Sequence, residues 1–298
     1  MWGDTVPSYA YQVRNELARI FDEDPQCMRA ELAALLKVGA VFVEGRMDFV
    51  NSNAAVARKV ITLVKKLYPE ARTEVAAIRR KKLRKSMRYV VRIFLTGHTE
   101  EFFREINSPE KIRQPEMEVS YLRGAFLANG TVNRPEAQYY LEVASIFEDV
   151  AEFVKRTFAD LDFHPSIHKR NDEFVVYITE GDAVYDFLGM VGAEEAVVRF
   201  EVARNLKEVH AQVNRLVNCE TANINKAIDA AQRQLADIRL LKSHEVKVSQ
   251  EIQQAMSMRL EYPDCSVAEL AEKIFITRPG LMYRFRVIRQ LAEKIRVS

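Results

Sequence analysis

The chain has 298 residues, 48% hydrophobic and 29% charged, with a formal net charge of only +2. That length suits about two domains, and the near-neutral balance excludes any nucleic-acid argument built on global charge, so a basic surface has to be local. Cys27, Cys219 and Cys265 stand far apart with no CxxC pair, which argues against a zinc site and a disulfide framework and suits a reducing cytoplasm.

The start, MWGDTVPSYAYQVRNEL, carries acids early and has no apolar core, so no secretory signal is expected. The most apolar segment, 32–43, is interrupted by Lys37, and no run reaches the ~18 apolar residues of a membrane span.

LAALLKVGA (32–40) reads as a helix and reappears 90 residues later as LRGAFLANG (122–130). At the same offset Val56, Val60, Leu63 and Val64 fall on Ile146, Val150, Phe153 and Val154, each set spaced as one buried helical face. RYVVRIFL (88–95) and EFVVYIT (173–179) alternate like strands and align at an offset of 85. Phe102 and Phe103 then match Phe187 and Leu188. The first copy thus carries five extra residues, assigned to RRKKLRKSMR (79–88), where seven of ten residues are basic. Arg79, Arg80, Lys81, Lys82, Arg84 and Lys85 in that hairpin are candidates for phosphate or acidic-partner contact. Gly124 and Ala128, like Ala34 and Val38, lie one turn apart and would let two helix backbones approach at a pseudo-axis. The expected fold is α+β: two pseudo-symmetric αββαββα copies over residues 1–193.

Two helices are expected next. Val198, Val202, Leu206, Val209, Val213 and Leu216 share one face of 196–218. Ile224, Ile228, Leu235 and Ile238 share one face of 221–241. The Asn-rich VNCETANIN between them would cap one helix and start the next. This paired helical connector spans 194–245.

Residues 246–298 form an all-α unit. SQEIQQAMSMRLEYPD is its first helix; SVAELAEKI, opened by a Ser266–Glu269 capping box, is its second. Thr277 caps the third, TRPGLMYRFRVIRQLAEKI, with Pro279 in its first turn. Helix, helix, short turn, basic helix is the helix-turn-helix plan. From Thr277 onward there are six bases and one acid, Glu293. Arg278 and Tyr283 are candidates for base-edge or groove contact. Arg284 and Arg286 are candidates for phosphate, and Thr277, which caps the helix, is a further one. Gly280 and Arg289 complete the candidate DNA-binding set.

Phosphodiester hydrolysis needs a divalent metal held by carboxylates. The ends of the paired helices offer Leu127, Ala128, Asn129 and Gly130 in one copy and Lys37, Val38, Gly39 and Ala40 in the other, with no acid among them. Glu44 and Asp48 follow, but Arg134 and Gln138 occupy the matching positions. Gly39 and Asn129 stand as degenerate former metal positions. His164 and His168 have metal-like spacing, yet Pro165 argues against a helix there. No catalytic residue, metal or cofactor is expected. A divergent nuclease with acids elsewhere and a protein-binding scaffold are the alternatives.

The two helices and the pattern after each resemble the LAGLIDADG homing endonucleases. The whole chain resembles more closely the WhiA family of bacterial transcription regulators. SYAYQVRNELARI (8–20), AELAALLKVGA (30–40), YLRGAFLANGTVNRPEAQYYLEV (121–143), VNRLVNCETANINKAIDAAQRQLADI (213–238) and ITRPGLMYRFRVIRQLAEKI (276–295) carry the likeness. It implies a degenerate LAGLIDADG domain joined to a helix-turn-helix that reads double-stranded promoter DNA. The implied setting is a cytoplasmic, nucleoid-associated role in sporulation or cell division, with a WhiB-type iron–sulfur protein as partner in some lineages. Against the family's recognition helix, Arg278 replaces Lys, Pro279 Ser, Met282 Asn, Tyr283 His and Val287 Lys. The lost Asn removes a bidentate adenine reader.

Overall fold

The computed structural model describes residues 7–43, 45–79, 87–94 and 111–297. They divide into two compact units, one ending at Lys207 and one beginning at Glu208.

The first unit is built on two helices. After α1 (Tyr9–Leu17) comes α2 (Pro25–Gly39), whose counterpart is α4 (Pro115–Asn129). Each opens on a proline, whose missing N–H costs nothing in the first turn. Asp24 Oδ1 accepts from Gln26 N at 2.8 Å to cap α2. Both helices are buried nearly all round, which is why neither sequence shows a polar face. The expected close approach is present. A Cβ on Gly124 would come 2.3 Å from the Glu31 carbonyl oxygen, and one on Gly39 would lie 3.3 Å from Ala128 Cβ. Only glycine lets the backbones meet so nearly.

Each helix runs straight into the edge strand of a four-stranded antiparallel sheet. The first holds β1 (Ala40–Val43), β2 (Arg46–Asn51), β3 (Arg72–Arg79) and β4 (Met87–Phe94), in the order β1-β2-β4-β3. The second holds β5 (Gly130–Val132), β6 (Leu141–Ser145), β7 (Ser166–Arg170) and β8 (Glu173–Ile178), in the matching order β5-β6-β8-β7. Period-two alternation turns Met47, Phe49, Val91 and Ile93 of one sheet, and Leu141, Val143, Val176 and Ile178 of the other, into a single core.

The register corrects the repeat. Ala40 pairs with Phe49, and Gly130 with Val143, so the second copy carries four more residues in its first hairpin. Helix α3 (Ala54–Leu67) therefore corresponds to α5 (Glu148–Asp160) four positions later than the sequence offset suggests. Val56, Val60 and Val64 match Val150, Val154 and Phe158, all buried. Ile146 precedes the helix and is 51% exposed, and Phe153 is only half-buried. The strand offset holds: Tyr89 pairs with Asn51 as Phe174 pairs with Ser145. The first copy's excess thus exceeds five residues, because the longer 133–140 loop of the second copy hid part of it. Helix α6 (Gly181–Met190) completes the second copy, with Phe187 and Leu188 buried. Their expected partners Phe102 and Phe103 lie outside the described residues, as does Glu44.

The paired connector is a misreading. Residues 194–243 form one continuous helix, α7 (Glu194–Ser243). VNCETANIN has no Pro or Gly, and each Asn or Thr costs a helix interior at most about 0.7 kcal/mol, so capping residues do not end it. The stripe from Val198 to Leu216 does not fold onto a partner helix: its six side chains are each more than half exposed.

The second unit packs the last turns of α7 (Ile238, Leu241) against α8 (Gln250–Glu261), α9 (Val267–Lys273) and α10 (Arg278–Val297). The capping box forms: Glu269 N donates to Ser266 Oγ at 3.3 Å, and Ser266 N to Glu269 Oε2 at 2.7 Å. Arg259 is 1% exposed and secures the turn after α8, donating to Cys265 O at 2.5 Å and Gln234 Oε1 at 2.9 Å. The tight turn before α10 places Phe275 at φ 56°, a conformation that favours glycine, with its ring 95% exposed.

Candidate nucleic-acid interface

Helix α10 sorts its residues by face. Thr277 Oγ1 accepts from Gly280 N at 3.3 Å, so the expected cap is in place. Leu281, Phe285, Ile288 and Ala292 are buried against the other helices. At about 100° per residue Arg278, Arg289, Met282 and Arg286 follow in turn along one flank of that buried face, and Tyr283, 64% exposed, stands opposite it. Arg278 and Arg286 have no hydrogen-bonding or ion-pair partner among the described residues, whereas Arg289 Nε lies 2.9 Å from Glu293. Arg284 faces elsewhere: its guanidinium donates to Gln254 Oε1 at 3.0 Å and Glu251 O at 3.4 Å on α8. Sequence spacing grouped Arg284 with the others, yet the structure sets it beside the packing face.

A second constellation lies where α2 and α4 end. Val38, Gly39, Ala128 and Asn129 line a cleft of about 300 Å³ with Val50, Asn51, Ser52, Arg14 and Arg88. Among the described residues its lining contains no carboxylate. Asn129 Nδ2 donates to Ala144 O at 3.0 Å, and Asn51 Nδ2 donates to Ala128 O at 3.0 Å and Leu127 O at 3.2 Å. The Asn51 amide thus occupies backbone carbonyls that a helix end otherwise leaves open, while that of Asn129 ties the end of α4 to β6. Burial pushes the Arg14 guanidinium pKa down, with Tyr11 the one group pulling the other way. Arg14 is inconspicuous in the sequence, because one base on a short amphipathic helix looks like any solvated charge.

Among the described residues no group of three or more His, Cys, Asp or Glu side chains is placed to hold a metal ion. His168 packs edge-on against Tyr177, with ring centroids 5.1 Å apart. Arg79 ends β3, while Arg80, Lys81, Lys82, Arg84 and Lys85 of the basic hairpin lie outside the described residues. No helix among the described residues is long and apolar enough to cross a membrane.

A twofold LAGLIDADG-like domain followed by a helix-turn-helix unit defines the class. The WhiA N-terminal LAGLIDADG-like domain matches residues 25–107, the WhiA LAGLIDADG-like domain 118–210 and the WhiA C-terminal HTH domain 213–292. "Probable cell division protein WhiA" of Desulforamulus reducens is 37% identical over 311 residues, covering 97% of this chain and 96% of its own. The protein of the same name from Staphylococcus carnosus is 34% identical over 309 residues, covering 97% and 98%. The crystal structure of full-length DUF199/WhiA from Thermatoga maritima shares the fold, with a TM-score of 0.64 at 20% identity, over 97% of this chain and 99% of that one. The chain belongs to the WhiA family.

Proposed function

We propose that this protein is a sequence-specific, DNA-binding regulator of transcription with a role in cell division or sporulation, and that its LAGLIDADG-like domain does not cut DNA. The observation carrying this reading is the exposed arc of α10. Two guanidinium groups with no partner among the described residues, Arg278 and Arg286, share an exposed flank with Met282, beside Tyr283, on a helix whose other face is core. Such an arc suits the major groove, with arginines for phosphate or guanine and the tyrosine for an edge or sugar contact. The lack of a carboxylate among the described residues of the cleft supports the loss of cutting, since a hydrolytic metal needs oxygen anions as ligands. In this reading residues 1–193, 194–245 and 246–298 serve as body, connector and reader. The protein acts on promoter DNA in the cytoplasm, on the nucleoid. A WhiB-type iron–sulfur protein is the partner class that the family resemblance supplies.

The test is operator binding against salt for full-length Arg278→Ala and Arg286→Ala. Each lost phosphate contact lowers the log–log slope by ~0.9, and a lost base contact weakens specific binding more than non-specific binding. Unchanged slope and affinity in both variants would remove α10 from recognition. Metal-dependent nicking of plasmid DNA by pure protein would defeat the non-enzymatic half of the proposal.

A further inference from the structure

We propose that the cleft at the carboxyl ends of α2 and α4 binds a phosphate oxyanion through Arg14 and Arg88, where the fold would otherwise place metal-binding acids. Arg14 Nε is buried and has no hydrogen-bond partner among the described residues. The fully buried cations Lys59 and Arg123 are matched: Lys59 reaches Glu31 at 2.6 Å and the Leu17 carbonyl at 3.1 Å, and Arg123 is held by Glu31 at 3.0 Å and by Asp22. Arg92 Nε is likewise buried without a hydrogen bond, but its guanidinium has Glu74 at 4.0 Å, whereas Arg14 has no carboxylate partner among the described residues. A fold that satisfies those charges and leaves Arg14 open keeps an uncompensated guanidinium in the lining of a cleft.

The surroundings favour an anion. Arg88 stands exposed at the same cleft, Ser52 adds a hydroxyl, and no carboxylate competes among the described residues. Two helix carboxyl ends oppose an anion, each with about half a negative charge. Here Asn51 covers the Leu127 and Ala128 carbonyls, and the backbone N–H groups of Ala40 and Gly130 cover those of Leu36 and Phe126. Two full guanidinium charges outweigh what is left. Arginine suits the task because its planar fork bonds phosphate oxygens in pairs. The same chemistry admits a free phosphate or a nucleic-acid backbone. Arg88 is the last base of the 79–88 run, so a polyanion continuous with that run is the favoured source.

The experiment uses the full-length chain and the variants Arg14→Gln and Arg88→Gln, with circular dichroism to verify folding. Inorganic phosphate is titrated in a thermal-shift assay against chloride at equal ionic strength, and duplex DNA binding is followed by anisotropy across salt. The expected result is a phosphate-dependent rise in Tm for the parent that both variants lose, since a ligand of the folded state stabilises by mass action. For a backbone phosphate, the DNA salt slope also falls by ~0.9 per arginine, in addition to the loss from Arg278→Ala and Arg286→Ala. A lost phosphate effect with an unchanged DNA slope assigns the site to a small free anion. Equal phosphate response and equal DNA slope in parent and folded variants overturn the proposal. If Arg14→Gln does not fold, the exposed Arg88→Gln decides alone. Because the α10 variants are read separately, failure here leaves the helix-turn-helix reading untouched, and the reverse holds too.

Discussion

Arg123 and Arg14 lie beside the same helix pair and are treated in opposite ways. Arg123, on α4, is 4% exposed and meets Glu31, Asp22 and Ser120, while Lys59 reaches Glu31 from α3. Burial lowers the affinity of that guanidinium for its proton, but the two carboxylates more than reverse the effect, and its pKa is raised. Arg14 sits at the carboxyl end of the pair with no carboxylate, and its pKa is lowered. One cluster closes on itself and fixes how α1, α2, α3 and α4 fit together. The other is incomplete within the described residues. A buried charge is informative only once its partners have been counted, and the two arginines separate framework from site on that ground alone.

The largest effect is expected from breaking the closed cluster. Glu31→Gln leaves Lys59 and Arg123 facing a neutral amide in the core, and removing one partner of a buried pair costs about 3–5 kcal/mol. Urea unfolding measures it; a loss below about 1 kcal/mol would mean that the cluster is not what holds the helices in register. Next comes packing in the same place without any change of charge. Gly124→Ala puts a methyl 2.3 Å from the Glu31 backbone oxygen, and overpacking of this kind costs about 1–3 kcal/mol. A neutral result would show that the helix pair slides apart freely, so the charge network rather than close contact sets its spacing.

The third change reverses sign. Arg14→Leu removes a buried donor without a partner and should raise stability by about 1 kcal/mol, the lower end of the cost of an unsatisfied group. A destabilised Arg14→Leu would place Arg14 with Arg123 as framework. The smallest effect belongs to a half-exposed pair. Glu142 is driven upward by burial, but hydrogen bonds from Arg170 and Tyr140 outweigh that, and its carboxyl lies below the usual range. A depressed folded pKa adds stability that is complete above the unfolded carboxylate pKa and is lost as pH falls through the folded value. Glu142→Gln should therefore lower Tm slightly at pH 7, with the gap closing towards acid. Arg170 is 46% exposed, so solvent screening keeps the difference small. A gap that persisted at low pH would point to packing rather than charge.

Much of the fold is legible in the sequence because it repeats. Small residues one turn apart in 32–40 and 122–130 declare the helix pair, and alternation in 88–95 and 173–179 declares the central strands. The four-residue drift between α3 and α5 escapes, because Ile146 and Phe153 are apolar like the residues they imitate and a pattern of apolar spacing cannot see a longer turn. The helix end expected in VNCETANIN fails for another reason: Asn and Thr permit a cap without requiring one, and nothing there forbids the helix to continue. In the site, the arc of Arg278 and Arg286 follows from helical spacing. The inward turn of Arg284 depends on Gln254, thirty residues away, and Arg14 becomes conspicuous only when its neighbours are known.

Helix α1 gives that last residue a longer reach. Tyr9 donates to the Ala196 carbonyl at 3.0 Å, and the Glu16 carboxylate accepts from Glu195 N and Ala196 N at 2.6 and 3.2 Å, gripping the opening turn of α7. A nine-residue helix thus lines the cleft with one side chain and holds the root of α7 with two others. A ligand that ordered Arg14 would therefore act on the same short helix that anchors the start of the long one.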